Sequence, residues 1–420
     1  MAGCCAEQVP GADMPDRYDV RRRGRSVPSH AAEHIIDTSA SAAQEIRLPG
    51  LMPFASDQEA REVIDLVTEV LNDAFAGIRR HMPNGITLAM LSGGRSGAYI
   101  FKAALLAEDD QTSGGFSAVV KIAPLGAGIS EKANYDQFVR PFLPTACRPE
   151  LYGFATAHDR AALCYSFLGD GDKAETLTDR LAAGDLASLD SVLSSLFETL
   201  HRCWYGAGQA QAETDLAHYY LARYFRDSGS ATAAETVLFG YAARYFGARR
   251  CVQGYRIGDT VFRPICETLF AGHAARTYTS CVLHGDLNSD NIILRRGRKL
   301  AGLVDFQRTG RGHVFHDLVA IELSVRINDP SDASFDDILE IERLIALGEQ
   351  CVRSHPYAAA IFSIRDTALR LFDLDAVPST YQFAVASIGL RLMKAIDLSD
   401  AARARITASV LWSARSLTEH

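Results

Sequence analysis

The sequence predicts an α+β fold with two lobes, a small lobe of mainly antiparallel β-structure followed by a large, mainly helical lobe. Short apolar runs bounded by turn residues, which are typical of strands, fill residues 88–168. Helical spacing of apolar residues dominates 172–275 and the stretch from about 314 to the end. The chain has 420 residues, 48% of them hydrophobic, which is enough for two or three cores. The predicted units are an extension over 1–48, a small lobe over 49–168 and a large lobe over 169–420.

Residues 1–48 predict a disordered extension. Prolines, a basic cluster at 21–25 and a Ser- and Ala-rich stretch at 38–43 leave little apolar surface to bury. The basic cluster fits contact with nucleic acid or an acidic membrane, but four arginines more often make a solvated tail. After the extension, residues 57–81 carry one apolar stripe at helical spacing, which predicts an amphipathic helix that begins the small lobe.

A glycine-rich turn joins two apolar strands in the small lobe. Glycines permit positive φ and let a backbone approach phosphate oxygens closely, so the turn is a candidate phosphate-binding loop. It is not a P-loop, because no Gly-Lys-Ser/Thr follows. A hairpin turn without a ligand has the same pattern, and its arginine fits either a charge near phosphates or a solvated side chain. The candidate loop residues are Gly93, Gly94, Arg95, Ser96 and Gly97.

Lys121 lies inside the apolar run 116–123. A buried ammonium group is costly unless it is paired, so this position predicts a carboxylate partner and a nearby phosphate. Glu131 is the expected partner, because it begins a segment in which Tyr135 and Val139 have helical spacing. Two alternatives stay open, an edge-strand lysine that points to water and an ordinary glutamate in the first turn of a helix.

The polar stretch 284–291 lies between two short apolar runs, and Asp305 ends the next one. Asp286 is followed five residues later by Asn291, and Asp305 comes nineteen residues after Asp286. One carboxylate can orient an attacking hydroxyl, while an amide oxygen and a second carboxylate can hold Mg²⁺ against phosphates. Metal-dependent phosphoryl transfer needs this set. The alternative is a polar hairpin loop whose Asp and Asn residues cap turns.

At His284, Gly285, Asp286 and Asn291 the sequence resembles the aminoglycoside phosphotransferase and choline kinase-like family, relatives of the protein kinases. The resemblance implies a protein-kinase-like two-lobe fold. It also implies Mg²⁺ and ATP or GTP as the phosphoryl donor. Asp286 would be the catalytic base, and Asn291 and Asp305 would be metal ligands.

The same resemblance gives roles to residues of the small lobe. Lys121 would engage the nucleotide phosphates, paired with Glu131, and the glycine-rich turn would cover them. The adenine ring would be bound by backbone groups where a buried strand ends, at Ser166, Phe167 and Leu168. Asp317, at the start of a later helix, would be structural and would tie down the catalytic loop.

The implied activity is transfer of the γ-phosphoryl group to a hydroxyl of a small molecule, such as an aminoglycoside-like antibiotic or a metabolite. The segment 205–275 would be a helical insertion that lines the acceptor side of the cleft. Acidic candidates on it are Glu213, Asp215 and Glu235, although each is more typical of a solvated helix surface.

Two shorter motifs also look similar to kinase-like domains attached to bacterial ternary-complex and conflict systems. They are Leu-Ser-Gly-Gly-Arg-Ser-Gly at 91–97 and Asp-Phe-x-Arg-Thr-Gly at 305–310. A kinase-like modifier of a protein partner, or a nucleotide-binding regulator in a bacterial signalling or conflict system, is therefore an open alternative.

Composition narrows the function class. The net charge of −8 argues against nonspecific nucleic-acid binding. The nine cysteines are scattered without a C-x-x-C pair, which is typical of reduced thiols and not of disulfide or zinc frameworks. His313 and His316 lack a third nearby ligand, so we expect a solvated or hydrogen-bonded pair and not a metal site. No apolar run reaches the length of a membrane span and no secretion signal is recognisable, so we expect a cytoplasmic enzyme without membrane contact.

Overall fold

The computed structural model describes most of both lobes. The predicted extension lies outside the described residues apart from a short strand at 45–47, which the sequence did not predict. Residues 75–81, expected to continue the first helix, lie outside the described residues as well. The described residues are 45–47, 56–74, 85–93, 98–105, 117–169, 174–185, 189–206, 210–270, 276–295 and 300–418.

The small lobe is built on a six-stranded sheet with strand order β1-β2-β3-β4-β6-β5. All neighbours are antiparallel except β1 and β2, which are parallel. This confirms the predicted antiparallel β lobe. The strands are β1 (Glu45–Arg47), β2 (Gly85–Gly93), β3 (Tyr99–Leu105), β4 (Ser117–Pro124), β5 (Leu151–Ala157) and β6 (Arg160–Ser166), and two helices accompany them, α1 (Asp57–Ala74) and α2 (Leu125–Asn134).

Helix α1 covers one face of this sheet. Its apolar stripe is buried against β4, β5 and β6, as the helical spacing predicted. Each such side chain contributes about 1.5–3 kcal/mol when it is fully removed from water. The stripe consists of Val63, Leu66, Val67, Val70 and Leu71.

Helix α2 packs against β6 and the segment 306–308 of the large lobe. It follows β4 without a loop and continues into a π-helical turn at Tyr135–Val139. Gly128 permits the close approach, since a Cβ there would lie 2.5 Å from the Cβ of Ala161 on β6. The packing turns the next helical turn, which carries Glu131, toward the sheet interior.

The large lobe is mainly helical, with small sheets that support loops. Its helices are α3 (Leu177–Ala182), α4 (Leu189–Leu200), α5 (Leu216–Tyr224), α6 (Ser228–Phe246), α7 (Ile265–Phe270), α8 (His316–Asn328), α9 (Phe335–Leu347), α10 (Pro356–Phe372), α11 (Ser379–Leu392) and α12 (Asp400–Ser416). Its strands are β7 (Glu175–Thr176), β8 (Gln211–Glu213), β9 (Arg249–Cys251), β10 (Gly254–Ile257), β11 (Thr260–Phe262), β12 (Tyr278–Leu283), β13 (Ile292–Leu294), β14 (Gly302–Leu303) and β15 (Gly310–His313). Among the described residues, no helix has the length and hydropathy needed to cross a bilayer.

The expectation that 205–275 is helical is only partly right. Helices α5, α6 and α7 are present, but β9, β10 and β11 form an antiparallel sheet between the last two. Glycines at tight turns favour these hairpins. Gly254 has φ +132° and lies so close to the neighbouring strand that a Cβ would meet the Phe262 carbonyl, and Gly258 has φ +55°.

A buried ionic cluster ties four helices of the large lobe together. Glu322 of α8 accepts from Arg326 Nη1 at 2.8 Å, from Arg365 Nη2 of α10 at 2.8 Å and from the Tyr381 hydroxyl of α11 at 2.6 Å. Arg326 Nε also donates to Glu342 Oε1 of α9 at 2.8 Å. Buried charges are tolerated only when they are paired and hydrogen-bonded, and every member here is. The cluster fixes the scaffold behind the catalytic loop.

Candidate active site

The loop from His284 to Asn291 follows the buried strand β12 and leads into β13. Gly285 has φ +79°, and a Cβ there would collide with the carbonyl oxygen of Arg308, so only glycine fits. The next side chain, Asp286, is partly exposed and accepts no hydrogen bond from the described residues. A carboxylate is thus held at the end of a rigid turn with its oxygens available to a ligand.

Asp317 fixes this turn from below. Its carboxylate is fully buried at the start of α8 and accepts three hydrogen bonds. One oxygen accepts from the His284 N–H at 2.7 Å and from the Tyr205 hydroxyl at 2.8 Å, while the other accepts from the Gly285 N–H at 2.9 Å. The structural role predicted for Asp317 agrees with this geometry.

Asn291 and Asp305 are brought together by the hairpin of β13 and β14. Ile292 pairs with Leu303, and one step further the Val304 N–H donates to the Asn291 carbonyl at 3.1 Å. Asn291 Nδ2 donates to the Asp286 carbonyl at 2.8 Å, which leaves its Oδ1 as a ligand atom. The short connection places the Asp286, Asn291 and Asp305 segments side by side, as their spacing predicted.

Lys121 joins the two lobes at this point. Its Nζ lies 2.7 Å from Glu131 Oε2 on α2 and 2.8 Å from Asp305 Oδ1 in the large lobe. Lys121 and Glu131 are both buried, and Glu131 Oε1 also accepts from the Tyr165 hydroxyl at 3.1 Å. The predicted ion pair is therefore present, and the edge-strand alternative for Lys121 is wrong.

Electrostatics keep Lys121 and Asp305 charged. Burial alone would lower the pKa of the Lys121 ammonium, but Glu131 and Asp305 outweigh it and hold that pKa above its ordinary value. Burial alone would raise the pKa of Asp305, but Lys121 outweighs it and holds that pKa below its ordinary value. Asp305 is thus a carboxylate and Lys121 an ammonium group at neutral pH.

The oxygen atoms here fit a magnesium ion. Mg²⁺ prefers oxygen ligands and is usually held by one or two carboxylates together with phosphate oxygens. Asn291 and Asp305 offer an amide oxygen and a carboxylate from adjoining segments. Within the described part of the chain, no group of three or more His, Cys, Asp or Glu side chains could hold a metal by itself. A metal at this site would take its remaining ligands from the oxygens of a bound phosphate chain.

The sequence matches the family described as ternary complex associated domain 9 over residues 86–236 and 258–372, more than half of the chain. The chain belongs to this family. The two matched stretches contain Lys121, Glu131 and the whole catalytic loop. The gap between them, 237–257, contains the end of α6 and the first strands of the β9–β11 sheet.

Similar solved structures include phosphotransferases of the class that the His284 motif resembles. An aminoglycoside phosphotransferase from Streptomyces rimosus ATCC10970 is 14% identical, with 80% of this chain and 97% of that chain covered and a TM-score of 0.41. An ethanolamine kinase from Plasmodium vivax is 11% identical, with 87% and 98% covered and a TM-score of 0.38. No curated protein matches the sequence.

The proposed adenine-binding segment lies where β6 ends in this domain. The Ser166 N–H already donates to the Glu150 carbonyl at 2.8 Å, and the Phe167 N–H donates to Ser117 at 3.3 Å. Leu168 packs so closely on β14 that a Cβ at Gly302 would lie 2.7 Å from its Cδ1. The segment therefore adjoins the strand that leads to Asp305, and a base would find its N–H donor no earlier than Leu168.

Only the first residue of the glycine-rich turn, Gly93, lies within the described residues. Gly93 ends β2 and pairs with Tyr99, as a hairpin requires. Gly94, Arg95, Ser96 and Gly97 lie outside the described residues. Their role as a phosphate-covering loop stays a prediction.

Sequence reasoning missed the arginines around the catalytic loop. Arg223 of α5 donates through Nη2 to the Gly285 carbonyl at 2.8 Å, and the Arg391 guanidinium of α11 lies 5.0 Å from the centre of the Tyr224 ring. Arg308 is part of the Asp-Phe-x-Arg-Thr-Gly motif at 305–310. No local sequence signal distinguishes Arg223 or Arg391 from surface arginines. Only the tertiary fold brings them to this loop.

The two histidines form a hydrogen-bonded cluster, as expected. His313 Nδ1 contacts the Tyr220 hydroxyl at 2.8 Å, and His316 Nε2 contacts the Tyr224 hydroxyl at 2.8 Å. Burial lowers the pKa of His313 to about 3 and that of His316 well below its ordinary value. Both are neutral parts of the support behind the loop.

Proposed function

We propose that this protein transfers the γ-phosphoryl group of ATP or GTP to a hydroxyl group. The observation that carries the proposal is the position of Lys121 between Glu131 of the small lobe and Asp305 of the large lobe. A lysine buried between two carboxylates at a lobe junction, beside a loop that presents Asp286, fits the binding of a phosphate chain with its metal.

Each residue has a role that follows from its place. Lys121 binds phosphate oxygens while Glu131 holds its ammonium group in position. Asn291 and Asp305 hold Mg²⁺, which when bound neutralises charge on the phosphates. Asp286 accepts the proton of the acceptor hydroxyl and orients its oxygen. Asp317 keeps the Asp286 turn rigid.

The acceptor side is formed by the segment 205–275, through α5. Arg223 of α5 bonds to the catalytic loop itself, which supports the proposal that this helix is a wall of the acceptor site. A small hydroxyl compound, an antibiotic or a metabolite, is the acceptor class that we propose. The name of the family, ternary complex associated domain 9, supports a second candidate, in which the acceptor hydroxyl belongs to a protein partner.

The test is transfer of label from [γ-³²P]ATP and Mg²⁺ to three pools, a deproteinised metabolite extract, a set of antibiotics and a protein lysate. We expect label in one pool and its loss with Lys121→Met. Lys132→Met is the matched control, since Lys132 lies on α2 next to Glu131 but is only partly buried and pairs with Asp136.

Weak nucleotide binding in Lys121→Met, measured by calorimetry, together with normal binding in Lys132→Met, is the expected pattern. If the wild-type protein binds neither Mg²⁺–ATP nor Mg²⁺–GTP, the proposed function is wrong.

A further inference from the structure

The surface beside Asp286 is lined by arginines. Burial raises the pKa of Tyr224 to about 12, the guanidinium groups of Arg223 and Arg391 oppose the rise, and the Asp286 carboxylate adds to it. The Arg391 guanidinium lies 5.0 Å from the centre of the Tyr224 ring, and Arg223 Nη2 donates to the Gly285 carbonyl at 2.8 Å, so both charges lie at the C-terminal end of α5 next to the loop that carries Asp286. The backbone of Arg308 also adjoins this place, because Arg223 Nη2 lies 3.5 Å from its carbonyl oxygen.

The same positive charges also act on His316. After burial, the groups that lower the pKa of His316 include Arg223, Arg391 and Arg308. Within the described residues, none of these three arginines forms an ion pair with a carboxylate, whereas the buried arginines Arg326, Arg365 and Arg405 do. Their charge is left for a ligand, apart from the carboxylates of Asp286 and of Asp317, which is already hydrogen-bonded to the loop.

The acidic candidates from the sequence do not offset this field. Glu235 is buried and accepts from the Ile265 N–H at 2.6 Å and from the Tyr255 hydroxyl at 3.1 Å, so it caps α7. Glu213 and Asp215 precede α5, about 12 Å from its Tyr224 end at 1.5 Å per residue.

One more carboxylate lies near the C-terminal end of α5. Asp227 caps α6 by accepting from the Ser230 N–H at 2.7 Å, and it lies near the basic side chains of Arg226 and Lys394. Its charge is thus balanced by two further cations. No acidic surface of the kind that a polycationic acceptor requires is formed by the described residues beside Asp286.

We propose that the acceptor carries an anionic group, a phosphate or a carboxylate, which Arg223, Arg308 and Arg391 bind; this rests on the proposed phosphotransferase function. Guanidinium groups match both anions through paired N–H donors, and they repel a cationic acceptor such as an aminoglycoside. The inferred substrate class is an acidic hydroxyl compound.

The reaction then balances with groups already named. The acceptor hydroxyl oxygen forms a bond to the γ-phosphorus while the bond from that phosphorus to the β–γ bridging oxygen breaks. The hydroxyl proton passes to Asp286, and the nucleoside diphosphate leaves with Mg²⁺. The anionic group of the acceptor stays unchanged on the arginines and positions the hydroxyl beside Asp286.

Binding is tested with inorganic phosphate on full-length protein saturated with Mg²⁺ and a non-hydrolysable ATP analogue. We expect calorimetry to show phosphate binding that weakens at least about tenfold in Arg391→Gln and in Arg308→Gln, the loss typical of one charge-assisted contact. Arg250→Gln is the matched control, because Arg250 also lies over an aromatic ring, Phe239, but has no described contact with the catalytic loop. Phosphate affinity equal in all four proteins would overturn the proposal.

Transfer is tested with a metabolite extract split into anion-exchange-bound, cation-exchange-bound and unbound fractions, beside kanamycin and streptomycin. We expect label only in the anion-exchange-bound fraction, with a raised KM for that fraction and an unchanged KM for ATP in Arg391→Gln. Label in an aminoglycoside, in the cation-exchange-bound fraction or only in lysate proteins overturns the anionic small-molecule acceptor but leaves phosphotransferase activity standing. Absence of nucleotide binding and of all transfer instead defeats the proposed function.

Discussion

Lys121 forms ion pairs in both lobes, and its position explains those of Glu131 and Asp305. Its ammonium group is buried and satisfied by Glu131 and Asp305. A Mg²⁺–nucleotide complex would compete for Asp305, because a divalent cation attracts that carboxylate more strongly than one ammonium group does. The Lys121–Asp305 contact is therefore the interaction that we expect to rearrange when the nucleotide binds.

Asp305→Ala tests the metal role. We expect the mutant to bind Mg²⁺–ATP at least about tenfold more weakly, as for lost metal-site interactions in general, with a smaller loss for metal-free ATP. Calorimetry with and without Mg²⁺ makes the comparison. Asp290→Ala is the control, since Asp290 is an exposed carboxylate on the catalytic loop. An Mg²⁺ dependence unchanged in Asp305→Ala would remove this residue from the site.

At the residue scale, the sequence predicted those positions where a polar group conflicts with its surroundings. Lys121 interrupts an apolar run, and the spacing of Asp286 and Asn291 matches a known constellation. Nothing in the surrounding sequence marks Arg223 and Arg391, because arginines are ordinary on exposed helix faces. Their function depends on the meeting of α5 and α11, which no pattern within either helix contains.

At the scale of elements, α2 carries Glu131 to Lys121 because it lies unusually close to β6. Gly128 permits this close approach, because a Cβ at this residue would lie only 2.5 Å from the Cβ of Ala161. Gly126 on the same helix has no atom within 4 Å of such a Cβ. The two glycines therefore have opposite expected responses to alanine.

Gly128→Ala should destabilise the protein by about 1–3 kcal/mol, because the added methyl group overpacks the helix against the sheet. It should also weaken nucleotide binding, because α2 must move away with Glu131. Gly126→Ala should instead stabilise by about 0.5–1 kcal/mol and leave nucleotide affinity unchanged. Urea unfolding and calorimetry measure both. Equal effects of the two substitutions would contradict the packing described for α2.

Helix periodicity was a good guide to elements such as α5 and α6, but not to the sheet between α6 and α7. The strands β9–β11 are three or four residues long, too short for an alternating pattern to stand out beside strong helical spacing. The turn glycines Gly254 and Gly258 were the available signal. The same limit applies to β1, whose pairing with β2 depends on a distant segment.

At the scale of the whole molecule, the small lobe and the large lobe were predictable because period 2 and period 3.6 dominate in different parts of the chain. The arrangement of helices in the large lobe was not. It depends on the buried cluster of Glu322, Arg326, Glu342, Arg365 and Tyr381, whose members come from four helices.

Glu322→Gln should lower the free energy of unfolding by about 3–5 kcal/mol, because it leaves Arg326 and Arg365 buried with one charge fewer. Glu340→Gln is the control. Glu340 pairs with Arg343 on the exposed face of α9, so its loss should cost no more than about 0.5 kcal/mol. Urea denaturation measures both. A Glu322→Gln protein as stable as the control would mean that the cluster does not hold the helices.

Mild acid should lower the free energy of unfolding at pH values above those at which the carboxylates become protonated. His313 and His316 have pKa values in the folded state far below the ordinary 6.5, so the unfolded chain binds more protons once the pH falls below about 6.5. Stability that is complete above this pH is then lost on acidification, by about 2 kcal/mol per pH unit near pH 5.5 for two such groups. Urea midpoints between pH 8 and pH 5 test this, and a flat profile below pH 6.5 would contradict it.

The central claim is that Asp286 is the base of a phosphoryl transfer, and Asp286→Asn tests it most directly. Turnover of Mg²⁺–ATP is measured with the acceptor fraction that takes label, beside nucleotide affinity from calorimetry. Asp290→Asn is the control, since Asp290 lies four residues further along the loop and is exposed. We predict a rate about 10²- to 10⁴-fold lower in Asp286→Asn, the usual loss of a general base, with unchanged nucleotide affinity and a normal rate in the control. Equal turnover in Asp286→Asn and wild-type protein would contradict the account.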